Sequence, residues 1–263
     1  MGFSVRSENT GIEYSGESIV GLLGHFRNLT SPGHWGMVMD ILKFHKLAEN
    51  LSNPDETVDH FIQRNRLGKR FRDSFLLPLG SALWSCSIDR DGKFPMEFGT
   101  DFHSNHQMLQ ANNRPVWRVI QGGSRTYVDV IVQELGERLK LNSPVRQVNR
   151  TKTGVELHFP DGSSRSFDEI ILACHADQSL RLLQHPDAEE TGLLRAFPYE
   201  KNNITLHSDD SVLPKRQSAR ASWNAYLPGS GHESALVSYD MNILQSLPTR
   251  EPFCVSLLSL IHI

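Results

Sequence analysis

The chain of 263 residues is poor in the features that announce most specialised classes of protein. Its three cysteines, Cys86, Cys174 and Cys254, stand far apart and in no redox or metal-binding spacing. That excludes a disulfide framework and a zinc site, and it suits a reducing, cytoplasmic setting. No apolar run approaches the roughly 20 residues of a membrane span. The opening residues, MGFSVRSENTG, lack the apolar core of a signal peptide. With 27 Lys and Arg against 30 Asp and Glu, the net charge is −3, so there is no basic excess of the kind that draws nucleic acid or an anionic membrane. There is no internal repeat and no low-complexity tract. Neither a nucleophile elbow nor a Ser-His-Asp order nor a paired-carboxylate site can be picked out. His34 and His45 lie on an otherwise apolar helix without a metal-site partner, and no metal is expected.

What is present is an ordinary composition, 38% hydrophobic and 22% charged, in a chain long enough for one large domain or two modest ones. Residues 3–16 read as a hairpin turning at Asn9-Thr10-Gly11. Glu17–Asn28 is apolar-periodic and predicts a helix. Ser31-Pro32 starts a second, with Ser31 as N-cap and Pro32 at the first helical position. Trp35, Val38, Met39, Ile41, Leu42 and His45 recur at helical spacing through Leu51. A third helix starts at Asn53-Pro54-Asp55-Glu56 and places Val58, Phe61 and Ile62 on one face. Phe71, Phe75, Leu76 and Leu79 carry a further helix toward Trp84. Residues 17–111 are thus expected to be mostly helical, with a loop around Asp89–Phe98.

The pattern then changes. Val116–Ile120 predicts a short strand, followed by Gly122-Gly123 and a helix capped by Ser124 that runs to Leu139. Ser143-Pro144-Val145 leads into a strand, VRQVNR. The alternating GVELHF, the turn dipeptide Asp161-Gly162 and a returning strand follow. Glu169–Ala173 is a short apolar run suited to a buried central strand, ending at small residues and opening a helix, DQSLRLL. Small residues where such a strand ends are what a sheet needs if a nucleotide lies against its carboxyl edge. Yet no G-x-G-x-x-G occurs in the chain, so the usual first half of a dinucleotide site is not written in it. An acidic loop, HPDAEE, and a helix around Glu190–Ala196 come next, and 201–240 holds three strand candidates, NNITLHS, ARASWNAYL and SALVSYD. Both ends read as cut: Met1 runs at once into a strand pattern, and Leu258–Ile263, LSLIHI, is also the translation of a transposon end used in sequencing libraries. Those six residues are expected to be foreign, the alternative being an ordinary C-terminal strand.

The strings FLLPLGSALWS (75–85), NH (105–106), PVWRVIQGGSRTYVDVI (115–131), SPVRQVNRTKTGVELHFPDG (143–162), DEIILACHADQSLRLL (168–183), ASWNAYL (221–227), SYDMNILQSL (238–247) and REPFCVSL (250–257) share an order with one family. In that order the chain resembles the flavin-containing amine oxidase superfamily, and within it the bacterial branch of FAD-dependent oxidoreductases. The resemblance implies a mixed α+β and α/β architecture: a helical plus antiparallel-sheet substrate domain, joined to part of an FAD-binding, Rossmann-like domain. It divides the chain into a β-hairpin (1–16), a mostly helical substrate-domain segment (17–111), a strand–GG–helix connection (112–142), a returning FAD-binding segment (143–183), a strand-rich substrate-domain segment (184–257) and the suspect tail (258–263). Family members begin with strand–GxGxxG–helix and end with a segment that completes the flavin site. Neither is found here, so the chain is expected to be an internal piece.

The resemblance also assigns candidate residues, each with an ordinary alternative. Val145 sits where a strand backbone brackets the adenine of FAD, and is equally a core strand residue. Ala173 and Cys174 end the strand beside FAD; Cys174 reads as a small filler rather than a nucleophile. His175 could serve as a base or make a capping hydrogen bond, and Asp177 belongs to an early helical turn. Gly122 and Gly123 form a cofactor-side loop or a plain turn; Arg118 and Arg125 face a phosphate or solvent. Asn105 and His106 present polar groups to a substrate or form a structural pair. Trp84, Trp117 and Trp223 are core aromatics, with Trp223 and Asn224 the better candidates for a substrate cavity. Catalytic residues are not assigned. The implied activity is oxidation of a small, apolar or lipid-like substrate by hydride transfer to flavin. A desaturase or isomerase of the same superfamily, or a non-enzymatic module binding a hydrophobic ligand or a protein, stays open.

Overall fold

A computed structural model describes residues 2–16, 21–22, 26–48, 51, 53, 55–84, 92–106, 116, 118–199, 201–229 and 235–257. In chain order the elements are β1 (Phe3–Ser7), β2 (Glu13–Ser15), one turn at Phe26–Leu29, α1 (Pro32–Ala48), α2 (Val58–Arg64), a helical turn Lys69–Phe71 passing through a π-turn (Arg72–Leu76) into α3 (Leu77–Trp84), and α4 (Met96–Asn105). Then come α5 (Arg125–Leu135), β3 (Gln147–Thr151), β4 (Gly154–His158), β5 (Ser164–Phe167), α6 (Ala176–Leu182) and α7 (Ala188–Arg195). The chain ends with β6 (Ile204–His207), β7 (Trp223–Leu227), β8 (Leu236–Asp240), α8 (Met241–Gln245) and β9 (Cys254–Leu257). They form two units: residues 1–123 with 202–263, and residues 124–201.

The first unit is built on a six-stranded sheet in the order β2-β1-β7-β8-β9-β6, antiparallel except for the parallel pair β1–β7. Strand alternation gives it two distinct faces. One row runs Val5, Ala225, Val237, Leu257, and the helices pack over it: the buried cluster joins these to Met37, Ile41, Phe44, Phe61, Phe71 and Leu77. The opposite row is Ser4, Asn224, Ser238, Ser256. Ser4 Oγ donates to Asn224 Oδ1 at 2.6 Å, Asn224 Nδ2 donates to Ser238 O at 3.2 Å, and the Ser238 and Ser256 hydroxyls meet at 2.6 Å. All four residues are buried, so every polar atom there has to be paired within the protein.

The predicted hairpin over 3–16 forms, as do strands at all three sites predicted in 201–240. The second helix starts where its caps place it, with Ser31 Oγ accepting the His34 N–H at 3.3 Å. Its buried face differs from the expected one: His34, Met37, Ile41, Phe44 and Ala48 are inside, while Trp35, Met39 and Leu42 are 42%, 63% and 45% exposed. The helix carries apolar residues on both sides. The face holding Phe44 wins because that ring contacts Phe61, Phe71 and His103. The third helix starts at Val58, not at Asn53, because Thr57 Oγ1 caps the His60 N–H. Its Val58, Phe61 and Ile62 are buried as expected. Within the loop predicted over 89–98 a helix already begins at Met96.

Pro78 explains the π-turn. It has no N–H for the Ser74 carbonyl four residues earlier, and its ring would crowd that carbonyl. The backbone widens so that the Leu77 N–H reaches Arg72 O, and the Tyr14 hydroxyl, fully buried, donates to the Ser74 carbonyl. A sequence break in a helix thereby becomes a tie between hairpin and helix.

The second unit is a three-stranded antiparallel meander, β3-β4-β5, with α5, α6 and α7. Gly162 turns the β4–β5 connection at φ 84°, and Gly154 is held close to the Phe167 carbonyl, where a side chain has no room. The Asp187–Glu190 capping box starts α7 at Ala188, earlier than predicted. Three other expectations here and one at 116–120 are corrected. The strand expected from Val145 begins at Gln147. The helix after Ser124 ends at Leu135 before a 3-10 turn, and Ser124 makes no side-chain cap. Glu169–Ala173 is not a strand: Ile171 is 92% exposed, and a buried parallel strand needs neighbours that β3-β4-β5 does not provide. At 116–120 the described residues are likewise unpaired and exposed. Cys86, Trp117 and the suspect tail 258–263 lie outside the described residues, as does most of 17–25.

Candidate functional site

The helix-side face of the large sheet continues past its covered rows. The next in-register row is Phe3, Trp223, Tyr239, Val255 and Leu206. Phe3 is buried, but the row opens progressively: Trp223, Tyr239 and Val255 are half-buried, and Leu206 is 66% exposed. Trp223 and Tyr239 meet edge to face, with centroids 5.7 Å apart and planes at 83°. Above this row lies an open hollow of about 840 Å³.

Its walls follow from local rules. Asp240 Oδ1 accepts the Ile243 N–H at 3.2 Å and starts α8, which brings Met241, Ile243 and Leu244 to the hollow. Ser246, at φ 52°, ends that helix in the left-handed conformation. On the opposite side the Ser222 hydroxyl accepts the Gly2 N–H at 3.3 Å and donates to the Gly2 carbonyl at 3.1 Å, pinning the start of β1 beside Trp223. Arg118 and Val119, from the exposed segment before Gly122-Gly123, complete the lining. Arg118 is the one charged residue among the lining residues.

The other candidates lie elsewhere. Asn224 points to the opposite face, 1% exposed. Its Oδ1 also accepts the Ala221 N–H at 3.1 Å and its Nδ2 donates to Ala221 O at 2.7 Å, so its amide is spent on holding the sheet. Asn105 is exposed near the end of α4, and neither it nor His106 lines the hollow. His106 stacks on Phe102 at 4.0 Å, and its Nδ1 donates to the Phe102 carbonyl at 2.8 Å, closing the helix end. Trp84 packs against Phe94, Phe98 and Phe102. Gly122 and Gly123 take φ of 82° and 80°, and a Cβ on Gly123 would meet nothing within 4 Å.

In the second unit Val145 borders a hollow of about 460 Å³ with Leu157, Phe159, Phe167 and Arg165. Ala173 and Cys174 are exposed, and the Cys174 thiol lies 3.2 Å from the Ser179 hydroxyl. His175 stacks flat on Tyr199 at 4.2 Å, and the Tyr199 hydroxyl accepts the Ala176 N–H. Asp177 sits in the first turn of α6. Its carboxyl is held below the usual range by the hydrogen bond from Arg181, 2.7 Å away. Sequence reasoning reached Trp223 but missed Tyr239, Val255 and the α8 residues. The signal was the alternation of SYD and CVSL, which puts Tyr239 and Val255 in Trp223's row.

A family model described as flavin containing amine oxidoreductase matches residues 14–261. The chain belongs to that family, and flavin is the cofactor the family implies. Among curated proteins none matches the chain by sequence. Solved structures share the fold. A triple mutant of putrescine oxidase, from a redesign of its cofactor binding, superposes with a TM-score of 0.60 at 12% identity, over 97% of this chain and 57% of that one. A CLA-producing fatty acid isomerase from P. acnes gives 0.57 at 13% identity with the same coverages. Reduced UDP-galactopyranose mutase gives 0.56 at 13%, over 97% and 56%. The chain thus spans a little over half the length of the structures it matches.

Proposed function

We propose that this chain provides the substrate-binding part of an FAD-dependent oxidoreductase, with the substrate lying on Trp223 and Tyr239. The observation that carries the reading is the uncovered end of the large sheet. An apolar floor left open beside well-packed helices is a binding surface in a protein that otherwise buries such rows.

The residues offered to FAD fit it in part. Gly122 and Gly123 take positive φ, a Cβ on Gly123 would meet nothing within 4 Å, and Ala173 is a small, exposed residue. Val145 asks only for backbone contact with the adenine. No phosphate cradle of the G-x-G-x-x-G kind exists among the 263 residues, so the pyrophosphate would be held by residues outside them. When bound, flavin supplies the hydride acceptor. This chain's own part is to orient the substrate on the aromatic row. The lining of the hollow offers no carboxylate and no histidine, so no proton-transfer group is assigned there.

The test is anaerobic substrate addition to the protein expressed from its complete reading frame. Bleaching of the flavin's visible absorbance is expected, and Trp223→Ala should slow it while leaving flavin content intact. Loss of flavin and fold together in Trp223→Ala would return that residue to the core and remove the assignment.

A further inference from the structure

Resting on that reading of the hollow, we propose that its ligand is an apolar molecule carrying one anionic group, a hydrophobic carboxylate, whose charge is met by Arg118. The lining is apolar over Trp223, Met241, Ile243, Leu244 and Val255, which suits a hydrocarbon body. Polar lining groups other than Arg118 are the Ser222, Ser246 and Tyr239 hydroxyls, the Trp223 indole N–H and backbone, none of them charged. Among the described residues Arg118 makes no hydrogen bond or ion pair, and it is the one arginine that lines the hollow. A guanidinium left unpaired on the wall of an apolar hollow is a carboxylate receptor in charge and in fork geometry.

An ammonium ligand fits poorly. Asp240, the carboxylate between the lining residues Tyr239 and Met241, is buried and used as the cap of α8. A cation in the hollow would gain only ring faces while sharing the space with Arg118.

The test is calorimetric titration of the protein expressed from its complete reading frame with decanoate, decanol and decylamine, three probes with the same hydrocarbon chain. Decanoate is expected to bind about tenfold tighter than decylamine. Arg118→Gln, at an exposed position, should lower decanoate affinity to that of decanol and leave decanol unchanged, and Trp223→Ala should weaken all three. Decylamine binding as tightly as decanoate, or decanoate unaffected by Arg118→Gln, overturns the anionic assignment while the hollow remains the substrate site. Failure of all three to bind, or indifference of all three to Trp223→Ala, overturns the hollow reading itself.

Discussion

The two units of this chain are built from similar local patterns and end with opposite interiors. The first buries Tyr14, Phe44, Phe61, Phe71, Met37 and Leu77 almost completely. Among the described residues of the second, two apolar side chains are buried, Val148 and Val155. Its helix α5 buries nothing, and Val130, Ile131 and Ile171 are 58%, 50% and 92% exposed. The difference is one of partners, not of sequence. YVDVIV and EIILA are as apolar as the segments that fill the first unit, yet two buried side chains do not offset the chain entropy of a folded unit of this size. Under the proposal above, residues of a cofactor domain would cover the second unit's apolar surface.

The sharpest way to break the contrast is to cut each core. Phe71→Ala, where the ring contacts Phe44 and Phe75, should cost about 3–5 kcal/mol, read as a fall in the urea midpoint. Val148→Ala should cost much less, and equal losses would erase the distinction. On the polar face, Asn224→Ala leaves the Ala221 N–H and the Ser4 hydroxyl without their partner. It should cost about 1–3 kcal/mol in the same assay, whereas a near-neutral result would mean the row of hydroxyls repairs itself.

Acid should act on the first unit before the second. Burial, ahead of the nearby Arg70 charge, pushes the His34 pKa below its ordinary 6.5. The folded state therefore keeps the ring neutral and the unfolded chain takes the proton first. That stability is complete above 6.5 and is lost as pH falls through the lowered value. Glu56, held below its ordinary 4.5 chiefly by the hydrogen bond from Arg64, adds a second loss further down. Urea midpoints across that range should decline in the native chain and decline less in His34→Leu; parallel curves would remove His34 from the account. The smallest effect belongs to the second unit: Val130→Ser on the exposed face of α5 should change stability by less than about 0.5 kcal/mol in this chain.

Legibility followed the reach of the forces involved. The hairpin at Gly11, the Ser31-Pro32 start of α1 and the turn at Asp161-Gly162 are local chemistry and could be read directly. Which face of α1 is buried was not readable, because Phe44 finds Phe61, Phe71 and His103 only in the fold. The apolar run 169–173 looks like a strand because its composition suits one, but a strand exists only with a neighbour. At the hollow, Trp223 stood out within SWNAYL. Tyr239, Val255 and Arg118 join it through strand register and a loop, which no single window of sequence displays.

The most direct measurement is the flavin content of the complete-frame protein carrying Ala173→Trp. If the exposed segment at Ala173 faces the cofactor, this variant folds, with unchanged circular dichroism, yet purifies without flavin absorbance, while Trp223→Ala retains it. Normal flavin absorbance in Ala173→Trp would contradict the assignment of the second unit to the cofactor.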